Sequence, residues 1–471
     1  MKILLCMLSR ELAGFHGFME RFQARPALGP MLLTAVLREA GHAVDFVDQR
    51  VESFSLEQWL DRAAGGRYDL VGLTTYSTTR RHHARYIAAL RARYQGAIVA
   101  GGPGVQPGNV DFWLDSGADA VVLGEGERTA VELAQRLEQG RELSGTPGTA
   151  VRAADGRTIV GPARPALSLE ELEALPYPAW SQYWIERYVD STLINIRTPT
   201  AGVITARGCP YRCAFCGSPS FWSGIRQRSV EDVIEELDWL VQRFGVRHIV
   251  FVDDVFGLTR RWTLEFCEAL RGRPYSLKWM ICLHPLSFGA DRAEVYGAMA
   301  DAGLNFISFG AQSADPMVLR EINRDPAEID AVREAIPLCR ELGIATALTY
   351  IFGLPGDTPA TAEAAVDLTL EVRPTLADFH PLYYFVGSEL GDRYPDCDAN
   401  PYSYEEHKRW CASARRRFYL APGTAARLAA TIARSNPLFL LRLARMAIHG
   451  LPHYLFEPGA AAEGESGDRR T

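Results

Sequence analysis

Short apolar runs alternate with helix-period segments along the first 145 residues. The runs fall at 3–8, 43–47, 70–74, 97–100 and 120–123. Strands of this length, separated by helices, predict a parallel sheet covered on both faces. Between the first two runs, residues 29–40 place Leu32, Ala35 and Val36 on one stripe, and Gly41 stops the helix. The opening run is too short for a secretory core and reads as the first strand. A connector is expected over 146–198, where turns such as Gly145-Thr146-Pro147-Gly148 lead into Leu175-Pro176-Tyr177-Pro178.

The strand–helix rhythm resumes over 199–386. A helix is expected at 229–244, with Ser229 as its N-cap and Glu231 and Asp232 in its first turn. Strand 248–252 ends in Asp253-Asp254, and helix 259–270 leads to strand 277–283, ending at His284. Helix 292–302 precedes strand 306–309, which ends in Gly310-Ala311-Gln312-Ser313. Helix 326–342, strand 345–352 ending in Gly353-Leu354-Pro355-Gly356, and a run at 378–385 complete the series. Six such steps predict a partial barrel with its chemistry at the strand C-termini. Residues 387–457 turn helical, at 404–419, 423–435 and 437–449. Arg442 and Arg445 break the last stretch well short of a membrane span, so membrane contact is not expected. The tail, 458–471, is polar and small and is expected to be disordered.

A chain of 471 residues accommodates two or three domains. The formal charge of −7 argues against a general nucleic-acid binder, which needs a basic surface. Nine cysteines, an odd number and scattered apart from one triplet, predict a reducing cytoplasm rather than a disulfide framework.

That triplet carries the chemistry. Cys209, Cys213 and Cys216 stand at CxxxCxxC spacing in a Gly- and Pro-containing loop. Thiolates so spaced can converge on one metal centre, and a [4Fe–4S] cluster is held by cysteines, normally four. Structural zinc is the other reading, but it wants four ligands and usually paired cysteines, and the chain has no second pair.

On this loop the chain resembles the radical S-adenosylmethionine (SAM) superfamily, with Phe215 at the position of the family's aromatic residue before the third cysteine. The resemblance implies a cluster with one open iron, which chelates SAM. It places Asp253 and Asp254 at the cosubstrate's amino end, Gln312 and Ser313 at its ribose and carboxylate, and Ile351 and Gly353 against adenine. Gln312 stands where relatives often have glutamate, so the charge is lost. His284 stands where many relatives have arginine, and it is the candidate catalytic proton-handling group.

The first unit resembles the cobalamin-binding domain that precedes the radical SAM domain in one subgroup. The features shared are Leu28-Gly29-Pro30, the turn Gly101-Gly102-Pro103-Gly104 and the turn Gly124-Glu125-Gly126-Glu127. With Thr74, Thr75 and Ser77, these turns lie at expected strand ends, where such sheets hold ligands. Many cobalamin proteins carry DxHxxG, whose histidine ligates cobalt. With that motif's glycine aligned on Gly29, Ala24 and Pro26 replace the aspartate and histidine. Cobalamin is therefore expected without a protein histidine on cobalt, with His16 as the fallback ligand.

The expected architecture is α/β: a doubly wound Rossmann-like cobalamin domain over 1–145, a partial (β/α)6 barrel, and a helical extension closing the barrel mouth. The expected function is methylation of an unactivated carbon of a small-molecule substrate, with electrons from a flavodoxin- or ferredoxin-type donor. Ring contraction or oxidative cyclisation on the same scaffold is the alternative. An iron–sulfur sensor or RNA-binding module represents a different class.

Overall fold

The computed structural model describes residues 1–9, 25–52, 54–188 and 199–435. Ala24, His16, the segment 437–449 and the tail lie outside them.

The first sheet has seven strands: β1 (Lys2–Met7), β2 (Ala43–Asp48), β3 (Leu70–Thr74), β4 (Ala97–Gly101), β5 (Ala120–Val122), β6 (Thr149–Arg152) and β7 (Thr158–Val160). Their order is β2-β1-β3-β4-β5-β6-β7. The first five are parallel, and β6 and β7 join antiparallel. Residues 149–160, expected to be connector, therefore extend the sheet. Their alternation is too brief, and β7 too exposed, to stand out in the sequence. Strand β1 shows why the parallel core reads as continuous apolar runs. Ile3, Leu5 and Met7 enter one core, while Leu4, Cys6 and Leu8 enter the other.

The second sheet is parallel and open: β8 (Thr200–Val203), β11 (His248–Phe251), β12 (Lys278–Leu283), β13 (Leu304–Gln312), β14 (Ala345–Phe352) and β15 (Leu376–Pro381), with β8 and β15 at its edges. A two-stranded ribbon, β9 (Ala206–Arg207) and β10 (Arg226–Gln227), brackets the cysteine loop. Val250, Met280, Phe306 and Ala347 form an apolar plug within the barrel. As expected, Ser229 caps helix Val230–Phe244, accepting from Asp232 N; Gly245 ends it in the left-handed conformation.

The two halves share a core. Leu28, in helix Leu28–Glu39, packs so closely on β8 that a side chain at Gly202 would meet its Cδ1 at 3.2 Å. The extension does not simply close the mouth. Helix Tyr404–Tyr419 covers the free edge of β15, where Tyr419 Oη donates to Ala377 O (2.9 Å) and Arg415 Nη1 to Phe379 O (3.0 Å). An unpaired strand edge is thereby satisfied.

Candidate active site

The cysteine loop leaves β9 through Gly208, at φ +90°, where any Cβ would lie 2.4 Å from Gly224 O. Glycine is required there. The loop is pinned at Ala214, whose N–H donates to Ile322 O (3.0 Å) and whose carbonyl accepts from Leu390 N (2.8 Å). All three thiols are free and partly exposed, and each lies within electrostatic reach of another. Burial pushes Cys209 and Cys216 up to about 11, so metal binding there must displace protons. Among the described residues no three His, Cys, Asp or Glu groups gather tightly enough for a single metal ion. A four-iron cluster instead spreads its thiolate ligands over separate irons.

Phe215 packs on the same apolar cluster as Ile351, bringing the loop to the end of β14. The two aspartates part company. Buried Asp253 accepts from Thr205 N (2.7 Å), Ala206 N (2.6 Å) and Thr205 Oγ1 (3.2 Å), tying the β8–β9 turn. Burial pushes its carboxyl up to about 7 against those hydrogen bonds. Asp254 is exposed and accepts from Ser218 Oγ, so it is the carboxylate a ligand ammonium can reach.

Gln312 adopts φ +62° at a register shift in β13, and its buried Oε1 has no hydrogen-bond partner. A strained residue with an orphaned acceptor at a strand end fits a polar ligand edge. Ser313 is buried beside it and accepts from Asp315 N (3.1 Å). Gly353 has another occupant than the adenine expected: at φ +94°, its missing Cβ leaves room for His407, whose Nδ1 would lie 2.3 Å from one.

His284 is buried, and its ring stacks on Tyr211 with centroids 3.5 Å apart. Nδ1 accepts from Leu286 N (3.2 Å), which puts the ring proton on Nε2, 3.3 Å from Glu328 Oε1. Burial lowers its pKa, outweighing the neighbouring Glu328 carboxylate. The ring therefore packs under the cysteine loop, between Tyr211 and Glu328.

At the carboxyl end of the first sheet, the strand order changes direction between β1 and β3, the place where such sheets hold ligands. Thr75 Oγ1 donates to Gly101 O (3.1 Å), and Gly104 N to Thr75 O (2.9 Å). Gly102 and Gly104 serve this loop packing, since Cβ atoms there would meet Thr75 at 3.1 and 2.7 Å. Ser77 lies buried in the following turn, and Pro103 O accepts from Gln106 Nε2 (3.3 Å). Gly124, at φ +74°, faces open space, a cradle that a large planar ligand can approach.

Glu125 is engaged otherwise. It accepts from Arg207 Nη1 (2.8 Å), Arg226 Nη1 (2.9 Å) and Leu167 N (2.8 Å), while Glu127 takes Arg207 Nη2 (2.5 Å). Burial alone would raise Glu125, but the arginines hold it below the usual carboxylate range. This buried cluster fastens the first unit to the root of the cysteine loop. The loop after β4 also meets the barrel mouth, since Cβ atoms at Gly108 and Gly387 would lie 3.1 Å from Val386 and 3.3 Å from Gln106. The sequence gives no sign of the pairing of Arg207 with Glu127 or of the roles of Arg324 and Glu328. Arg324 and Glu328 stand four apart in sequence, but Arg324 precedes the helix that Glu328 opens, so no helical pattern signals their contact.

Comparison with known proteins accords with these two units. The B12 binding domain family matches residues 23–134, and the Radical SAM superfamily matches residues 203–369. An uncharacterized methyltransferase of Pyrococcus horikoshii is 29% identical over 373 residues, 78% of this chain and 77% of that one. The anaerobic magnesium-protoporphyrin IX monomethyl ester cyclase of Rubrivivax gelatinosus is 27% identical over 392 residues, 79% of this chain and 67% of that one. The fold is shared with the radical S-adenosylmethionine methyltransferase TsrM of Kitasatospora setae, solved with cobalamin and a [4Fe–4S] cluster bound. Its TM-score is 0.64 at 22% identity, covering 83% of this chain and 74% of that one. The chain thus carries a B12 binding domain followed by a Radical SAM domain, the pairing found in cobalamin-dependent radical SAM enzymes. Its cofactors are a [4Fe–4S] cluster, SAM and cobalamin. Among the described residues no helix is long and apolar enough to cross a membrane.

Proposed function

We propose that the protein methylates an unactivated carbon of a small molecule. The observation that carries this reading is the meeting of the first unit's strand-end loops with the barrel mouth, Gln106 and Gly108 against Gly387 and Val386. That contact brings the loop after β4 beside the chain leaving β15, which supports two cofactors working on one substrate. When bound, the cluster with SAM supplies radical hydrogen abstraction, and cobalamin supplies methyl transfer.

The chain's own groups hold and orient. Cys209, Cys213 and Cys216 are the cluster ligands in this reading. Exposed Asp254 and the orphaned Gln312 Oε1 supply acceptors for SAM's ammonium and hydroxyl groups. Phe215 and Ile351 form the apolar wall. Thr74, Ser77 and Gly124 line the cobalamin side, and Asp253 fixes the turn above β8. Pro26, in the approach to helix Leu28–Glu39, has no group to ligate cobalt. The electron donor is of the flavodoxin or ferredoxin class.

The cyclase relative supports a second reading, oxidative cyclisation. SAM bearing a deuterated methyl group separates the two. A methyltransferase carries the intact labelled methyl into the substrate-derived product, whereas a cyclase product contains none.

A further inference from the structure

Arg324 is buried 3.5 Å from Cys213, through Nη1 to Sγ. Its other donors are already spent. Nε bonds both oxygens of Glu328 (2.8 Å each), and Nη2 reaches Glu328 Oε2 and Gly310 O (2.6 Å). A guanidinium is planar, so fixing Nε and Nη2 fixes the direction of Nη1. Glu328 is held in turn. It opens helix Glu328–Glu341, accepts from Asp325 N (3.1 Å) and faces His284 Nε2, whose ring lies on Tyr211 in the cysteine loop. Burial would raise Glu328, but His284 and Arg324 take it below its ordinary value, so it remains the anionic anchor. A buried cation is thus aimed at one thiolate by a rigid train that begins and ends in the same loop.

We propose that Arg324 is a positioning residue that sets the reduction potential of the cluster by donating a charge-assisted hydrogen bond to Cys213. This rests on assigning the three cysteines to the cluster. Reduction adds one electron, taken from a one-electron low-potential donor, and no proton need move. A fixed positive charge beside a ligand sulfur favours the state carrying that extra electron, and hydrogen bonds to the sulfurs are among the terms that set such potentials. Replacing the cation by a neutral group therefore makes reduction harder.

The test uses full-length protein reconstituted anaerobically, in the parent, Arg324→Gln and Arg324→Lys forms. Iron per chain is measured first, then the reduced fraction by paramagnetic resonance at fixed potentials. Loss of iron on Cys213→Ala tests the cysteine assignment separately. Arg324→Gln is expected to keep its iron and lower the reduced-to-oxidised ratio about tenfold, equal to roughly 59 mV for one electron. Arg324→Lys is expected to recover most of that ratio. An unchanged ratio in a fully loaded Arg324→Gln protein overturns the proposal. Equal loss of iron from both variants also overturns it, because charge would then be irrelevant and the side chain only a brace.

Discussion

Arg207 and Glu127 form a buried ion pair, with Nη2 2.5 Å from Oε1 and side chains only 5% and 9% exposed. One residue stands two positions before Cys209, and the other follows the Gly-Glu-Gly turn of the first unit. The pair joins the roots of two cofactor sites, and Arg226 with Glu125 doubles it.

Removing one member of such a cluster strands the other. Arg207→Ala leaves Glu127 buried without its cation and Glu125 with Arg226 alone, and is expected to cost about 3–5 kcal/mol. Urea unfolding of parent and variant checks this. A change under about 1 kcal/mol, the range of exposed pairs, would show that the clamp does not hold the halves together.

Asp253 gives a pH signature. Its folded pKa is pushed to about 7 by burial, against an ordinary unfolded value of about 3.9. Between those values the folded state binds more protons than the unfolded one, so stability falls as pH rises from about 4 to about 7. Asp253→Asn keeps an acceptor for the two N–H groups and removes the titration. The stability of the variant relative to the parent should therefore grow across that window. A difference independent of pH would refute the assignment.

Gly353 separates ligand contact from packing. Gly353→Ala puts a Cβ into the His407 ring at a backbone angle unfavourable to alanine. It is expected to lower stability by about 2–4 kcal/mol, by overpacking and strain together. His407→Ala in the same chain should restore the steric part. The absence of any rescue in thermal unfolding of the double variant would mean that the glycine serves something other than the helix.

Much of this architecture is legible in the sequence because parallel strands buried on both faces leave unbroken apolar runs. Strand β3 starts and stops where the apolar pattern does, and Ser229 marks the start of its helix. Strands β6 and β7 were not legible, since four and three residues carry too little periodicity. Strand β13 runs past its expected end because the shift at Gly310/Gln312 breaks its alternation. The cysteine loop was legible from its spacing together with the family resemblance. Its supports were not, since Arg324 and Glu328 act on a loop about a hundred residues away in sequence. Local pattern says nothing about such a contact. The roles of Asp253 and Asp254 also looked alike in sequence, and only their opposite burial separates them.

The account's central claim is that one chain uses its two cofactor sites in succession to move a methyl group. Its most direct test is the product ratio in an anaerobic reaction with the true substrate and a low-potential reductant. One SAM is consumed to start the reaction and a second to replace the methyl group, so 5′-deoxyadenosine and S-adenosylhomocysteine should appear in near-equal amounts per methylated product. Substrate consumed with abundant 5′-deoxyadenosine and no S-adenosylhomocysteine would contradict the claim.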